Sequence, residues 1–483
     1  MVSNLRQKTF QIIMKPSQFI IIFFLYFSLT SCGGPSNDKE ADIDSTLILK
    51  IAFEDSFPSG KIINPVICKT SPAQSYALYI PGNNRNQALP IIYFFDPHGD
   101  GLLPIKKYKS LADNFHFILV GSNNSKNGND WNNVENIWDN LNEDVQKRIA
   151  INRERIYTCG FSGGAKVATF LALHHPEIKG VIANGAGLEE ITKSGNFKFT
   201  LTSIAGKGDM NMTDLISIDK ILDNTQTKHR IIFFDGIHEW APLNIMKTAF
   251  SGLQFDAMRN NLIPRDSFFI NQFVEENKNK IVDEEKSNQL LKAESSCQYS
   301  INMLDGVTDK VNWFHKKKDS ITQTASYKNQ SQANEDLLKK EGIIKAGFQQ
   351  QFQIRDENYW NNVINDVKEK AAVKTPEGLM YQRLQAYLSL AFYSISSQLI
   401  SQNHNKDAEY FVGLYKMADP TNSEAWYLSA ILSARENNSA ATKDDLLKAV
   451  SLGFNDKKRL EQQPEFSDSG IKINLTEIEN KMK

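Results

Sequence analysis

"RIYTCGFSGGAKVATFLALHHP", residues 155–176, reads as a strand, a glycine-rich turn and a helix, with Ser162 between Gly160 and Gly163-Gly164. One reading is a small-residue connection with a serine capping the helix N-terminus. The other is a nucleophile elbow, G-x-S-x-G, a turn so tight that only glycine fits beside the serine. The surrounding sequence decides which reading has a context.

On both sides the chain alternates. "YALYIP" (76–81), "PIIYFFDP" (90–97), "FHFILVGS" (115–122), "RIYTCG" (155–160), "KGVIANGA" (179–186), "FTLTSIAG" (199–206) and "RIIFFDG" (230–236) are short apolar runs bounded by turn formers. Such runs suit strands buried on both faces. Helical stretches such as 131–150 and 164–175 lie between them. Strands alternating with helices predict an α/β fold, a doubly wound and mainly parallel sheet. Ligands in such sheets bind at the carboxyl ends of the strands, and Ser162 stands at that edge.

A serine hydroxyl is protonated at neutral pH, so a nucleophile needs an adjacent base that a third group orients. In this architecture the chain order is serine, acid, histidine. His238, in "DGIHEW" after the strand 230–236, lies at the right edge and downstream of Ser162. His116 and His229 fall near strand beginnings, His174 and His175 close a helix, and His315 and His404 lie in the distant half. Asp209, in "TSIAGKGDMN", is the expected acid, with Asp235 and Asp214 as rivals. Oxyanion donors are expected from the amide of Gly163 and from Asp100 or Gly99 in "DPHGDG". That loop is too short an acidic stretch to signal a calcium site, and no metal or cofactor is expected.

The stretch 76–187 resembles α/β-hydrolases. "SYALYIP", "LPIIYFFDPHG" and "IYTCGFSGGAKVATFLALHHPEIKGVIANGAGL" are similar to polyhydroxybutyrate-depolymerase-like enzymes and to feruloyl or acetyl-xylan esterases. Their histidine is often followed by Trp-Pro; here His238 precedes Glu239, Trp240, Ala241 and Pro242. The likeness extends over about residues 70–245 and departs at Asp96-Pro97 and at the G-F-S-G-G elbow. It implies a serine esterase, with amide cleavage less favoured. The short connection "GLEEITKSGNF" (187–197) leaves little room for a lid, which suits a large or polymeric ester.

The whole chain has 483 residues with a formal net charge of −1, which argues against a nucleic-acid binder. Its four cysteines form no C-x-x-C pair, so no zinc site or disulfide scaffold is indicated. Arg6, Lys8 and Lys15 precede the apolar run "FIIIFFLYFSL" (19–29), and "LTSC" resembles the lipobox of bacterial lipoproteins. That resemblance implies lipidation at Cys32 and a place in the bacterial cell envelope, facing the periplasm or exterior. Residues 1–31 are then a signal peptide and 32–48 a polar tether. A hydrolase domain is expected over 49–255, a helical region over 256–375, and repeats over 376–483. In that last part Phe392 and Trp426, and Val412 and Leu446, are 34 residues apart, which resembles tetratricopeptide repeats. Such repeats either bind a protein partner or stabilise the hydrolase domain. The alternative to an enzyme is an inactive hydrolase-like scaffold that recruits a partner through them.

Overall fold

The structure, a computed structural model, describes residues 57–82, 88–188, 195–352, 354–467 and 473–482. The expected signal peptide, Cys32 and tether lie outside the described residues. Residues 53–347 and 356–483 belong to one compact unit, and 348–355 to a second.

Eight strands form one sheet: β1 (Ile62–Ile67), β2 (Ser75–Tyr79), β3 (Leu89–Phe95), β4 (Ile118–Ser122), β5 (Ile151–Phe161), β6 (Ile178–Asn184), β7 (Thr200–Gly206) and β8 (His229–Phe234). Their order is β1-β2-β4-β3-β5-β6-β7-β8. β2 runs antiparallel to β1 and β4, and every other neighbouring pair is parallel. β1 gave no signal in the sequence because Pro65 interrupts it. An edge strand tolerates proline, and the pairing slips between Ile63 and Val66.

Five helices cover the sheet: α1 (Leu102–Phe115), α2 (Trp131–Arg148), α3 (Gly163–His174), α4 (Met212–Leu222) and α5 (Leu243–Arg259). The period-2 alternation of β3 separates them into two layers. Ile91, Tyr93 and Phe95 share a core with Val134, Trp138 and Leu141 of α2 and Val167 and Leu171 of α3. Ile92 and Phe94 share the opposite core with Tyr108 and Phe115 of α1 and Phe250 and Leu253 of α5. The sheet is doubly wound, as the alternation of strands and helices implied.

A helical region follows: α6 (Ser267–Lys286), α7 (Leu290–Leu304), α8 (Val311–Thr322), α9 (Ala325–Gln351), α10 (Glu357–Ala371), α11 (Pro376–Ser401), α12 (Asn405–Ala418), α13 (Ser423–Arg435) and α14 (Ser439–Ser451), then α15 (Lys457–Gln462), α16 (Pro464–Ser467) and α17 (Leu475–Glu479). Side-chain caps start several of them, among them Asp266, Asp356, Thr375, Asn422 and Asn438. The pairs 34 residues apart fall on corresponding helices, Phe392 on α11 and Trp426 on α13, Val412 on α12 and Leu446 on α14. Among the described residues no helix is long and apolar enough to cross a membrane.

The boundary expected at residue 255 falls inside α5. Asp256, one residue beyond it, is buried and accepts hydrogen bonds from Arg230 of β8 and from Arg259. Arg259 also donates to the carbonyls of Asn302, Met303 and Asp305 at the end of α7. A buried guanidinium needs its counter-charge, so the last sheet strand is tied through α5 to the helical region.

Candidate active site

At the carboxyl edge, the β5–α3 connection is a tight turn. A Cβ on Gly160 would lie 2.0 Å from the Gly164 carbonyl oxygen, and one on Gly164 would lie 1.9 Å from that of Phe95. Neither glycine can be replaced without moving backbone. Between them Ser162 adopts φ 51° and ψ −120°, outside the left-handed helical well. A conformation of this kind costs on the order of 1–3 kcal/mol and persists only where its surroundings hold it. The Ser162 amide donates to the Asn184 carbonyl of β6, 2.8 Å away, and that bond helps to hold the turn.

Ser162 occupies the N-cap position of α3, yet its side chain makes no capping hydrogen bond. Its Oγ lies 2.9 Å from His238 Nε2, and His238 Nδ1 lies 2.9 Å from Asp209 Oδ2. Asp209 is 1% exposed and His238 20%. The second Asp209 oxygen accepts the Asn211 amide at 2.8 Å, and Asn211 Nδ2 donates to the Gly185 carbonyl at 2.7 Å. Gly185 has φ +69°, and a Cβ there would come within 3.1 Å of both the Asp209 carboxylate and the His238 ring. The Phe161 ring stands 4.7 Å from the imidazole, centroid to centroid. The structure thus brings Ser162, Asp209 and His238 together. Asp235 points away, 81% exposed, and the Lys207 ammonium 2.6 Å from it holds its carboxyl below the usual range. Asp214 lies exposed in the first turn of α4.

The loop carrying His238 is anchored on both sides by residues that sequence reasoning missed. Asn184, fully buried at the end of β6, donates through Nδ2 to the Glu239 carbonyl and accepts the Ala241 amide. Trp240 Nε1 donates to Asp96 Oδ2 at 2.9 Å, and Asp96 Oδ1 accepts the His98 amide at 2.8 Å. Burial opposes ionisation of Asp96, but the hydrogen bonds from His98 and Trp240 outweigh it and hold its carboxyl below the ordinary value. Tyr108 and Lys107 of α1 donate to the Ala241 and Trp240 carbonyls. The departure at Asp96-Pro97 was the signal available in the sequence: a charged residue ending an apolar strand needs a partner.

The helix ladder of α3 begins at the Ser162 carbonyl, which accepts from Ala165 and Lys166, so the Gly163 amide belongs to the orphan donors of a first turn. The Gly99 amide donates to the Asp96 carbonyl at 3.1 Å and is engaged there. Asp100 accepts the Leu103 amide at the start of α1. Asn127 was also missed; its side-chain oxygen would lie 1.9 Å from a Cβ on Gly163.

Cys68, Cys159 and Cys297 are buried and unpaired, and burial pushes the Cys68 thiol up to about 11 and that of Cys297 to about 12. Glu135, Asp139 and His175 bring ligand atoms within 4.8 Å of one another, at the end of α3 remote from Ser162. There His175 Nε2 and Glu135 join α3 to α2 across 2.7 Å.

No family model matches the chain, and no curated protein matches it. Solved structures similar to it include a ferulic acid esterase, 15% identical, with a TM-score of 0.33 over 42% of this chain and 98% of that one. A Pyrobaculum calidifontis esterase is 10% identical, with a TM-score of 0.32 over 42% and 85% of the two chains. An S-formylglutathione hydrolase from Agrobacterium tumefaciens is 14% identical, with a TM-score of 0.31 over 38% and 89%. The strand order, the helices on both faces and the strained elbow after β5 make the first half of the described chain an α/β-hydrolase fold, and a helical C-terminal region follows it.

Proposed function

We propose that the protein is a serine hydrolase acting on carboxylic esters through Ser162, His238 and Asp209. One observation carries the reading: the serine sits in a strained turn, leaves the helix uncapped and lies 2.9 Å from an imidazole that a buried carboxylate holds. Strain of this sort at an edge where ligands bind is an argument for function. With the Nδ1 proton donated to Asp209, Nε2 is free to accept the Ser162 hydroxyl proton as Oγ attacks the acyl carbon. The carbonyl electrons move onto oxygen, and the amide of Gly163 receives that charge. The second donor is the Asp100 amide, because the Gly99 amide is already engaged. Collapse of the intermediate expels the alcohol, which takes the proton from His238. A water molecule, deprotonated by the same imidazole, then releases the acid.

The substrate is an external ester, and the short 187–197 connection suits a large or polymeric one. Lipidation at Cys32 would hold the enzyme on a bacterial envelope membrane, and the C-terminal hairpins would offer a face to a protein partner. The support for the anchor is the "LTSC" sequence, and for the partner face the 34-residue spacing. Turnover of nitrophenyl acetate tests the catalytic reading. The wild-type chain should hydrolyse it, and Ser162→Ala should lower kcat by at least about 10⁴. Equal rates in the two proteins on every ester tried would leave the scaffold reading in its place.

A further inference from the structure

The loop that carries Asp209 is held from outside the hydrolase fold. Arg383 of α11 donates through Nη1 to the Lys207 carbonyl at 2.7 Å. Lys345 of α9 donates to the Met210 carbonyl at 3.1 Å and to Thr213 Oγ1 at 3.2 Å. The two accepting carbonyls bracket Gly208-Asp209. Both cations meet on Glu341, which is fully buried. Its Oε2 accepts Arg383 Nε and Nη2 at 2.9 and 2.7 Å, while Lys345 Nζ stands 3.0 Å from Oε1, a charge contact without hydrogen-bond alignment. A Cβ on Gly208 would lie 3.2 Å from Gln382 Oε1, so α11 lies directly against the loop.

Two cations aimed at backbone carbonyls, with a buried carboxylate fixing both, are expensive to assemble. Each charge must leave water, and removing one partner strands the others. Surface ion pairs elsewhere in the helical region carry no such desolvation cost. The amides of Lys207, Gly208 and Asp209 already bond to the carbonyls of Phe234, Gly236 and Gly206, so the path of the loop is held within the hydrolase fold as well.

We propose that Glu341, Lys345 and Arg383 are positioning residues for Asp209, so that the helical region is an integral part of the site. This rests on the serine-hydrolase reading for its kinetic consequence. Its geometric consequence, a locked contact between Asp209 and His238 Nδ1, does not.

Lys345→Met and Arg383→Met in the full-length protein test it, with Lys345→Arg as the conservative variant. At temperatures where each variant is folded, both methionine variants should lower kcat about 10–10²-fold with KM for nitrophenyl acetate unchanged. Lys345→Arg should restore most of the rate. The downfield proton resonance of His238 Nδ1–H, assigned through its loss in Asp209→Asn, should exchange faster with water in the methionine variants. If Arg383→Met does not fold, Lys345→Met decides alone. Wild-type kcat and wild-type proton exchange in a folded Lys345→Met protein would overturn the proposal. Absence of any Ser162-dependent turnover would sink the hydrolase reading alone, since the proton resonance still reports on the clamp.

Discussion

Replacing Asp96 by asparagine separates a structural carboxylate from an incidental one. Asp96 is 3% exposed, with one oxygen on the His98 amide and the other on the Trp240 indole. Asparagine offers one oxygen and one NH₂, so whichever way it turns, a donor faces a donor. One hydrogen bond to a charged acceptor is lost, about 1.5–3 kcal/mol, and a buried donor is left unsatisfied, about 1–3 kcal/mol more. The expected loss is about 3–5 kcal/mol, large against a total stability of about 5–15 kcal/mol. Because Trp240 lies two residues from His238, kcat should fall as well. Urea unfolding at pH 7 measures the first effect, and a double-mutant cycle with Trp240→Phe isolates the indole bond, with an expected coupling of about 1–3 kcal/mol. The pH dependence has a definite sign. The folded carboxyl titrates below its unfolded value of 3.8, so its contribution is complete above that pH and disappears as pH falls through the lower, folded value. Asp96→Asn should remove that acid dependence. A stability change under about 0.5 kcal/mol, with the indole coupling absent, would refute the reasoning.

Asp209→Asn should lower kcat by about 10⁴ through the wrong imidazole tautomer, while Asp235→Asn, on an exposed side chain paired with Lys207, should change it less than twofold; esterase kinetics compare the two. Asp256→Asn should cost about 3–5 kcal/mol in urea unfolding, because Arg230 is left buried without a full counter-charge, and a chain ended at residue 255 should fold poorly for the same reason. Cys32→Ser should move the protein from the membrane to the soluble fraction on fractionation, and retention after a high-salt wash would count against lipidation.

The elements that position the site were legible because each is a short-range pattern. An apolar run ending in G-F-S-G-G specifies a strand, a turn and a helix within about 20 residues. The placement of Asp209 and His238 at the ends of β7 and β8 follows from the alternation of elements. What the sequence concealed is long-range. Asp96 meets Trp240 across 144 residues, and Arg383 meets Lys207 across 176. No periodicity encodes such a pairing, and a lysine or arginine on an amphipathic helix reads as a solvated face. Residue 255 looked like a boundary because strand signals end there, although α5 continues past it to close the Arg230 ion pair. β1 was missed because Pro65 breaks the apolar pattern that marks the other strands.

The central claim is that Ser162 is a nucleophile activated by His238. Labelling of the full-length protein with a fluorophosphonate, followed by mass spectrometry of the peptide containing Ser162, tests it most directly. The account predicts one stoichiometric adduct on Ser162, absent in Ser162→Ala and slowed at least about 10²-fold in His238→Gln. A folded protein whose Ser162 stays unlabelled, or is labelled equally fast without His238, would contradict it.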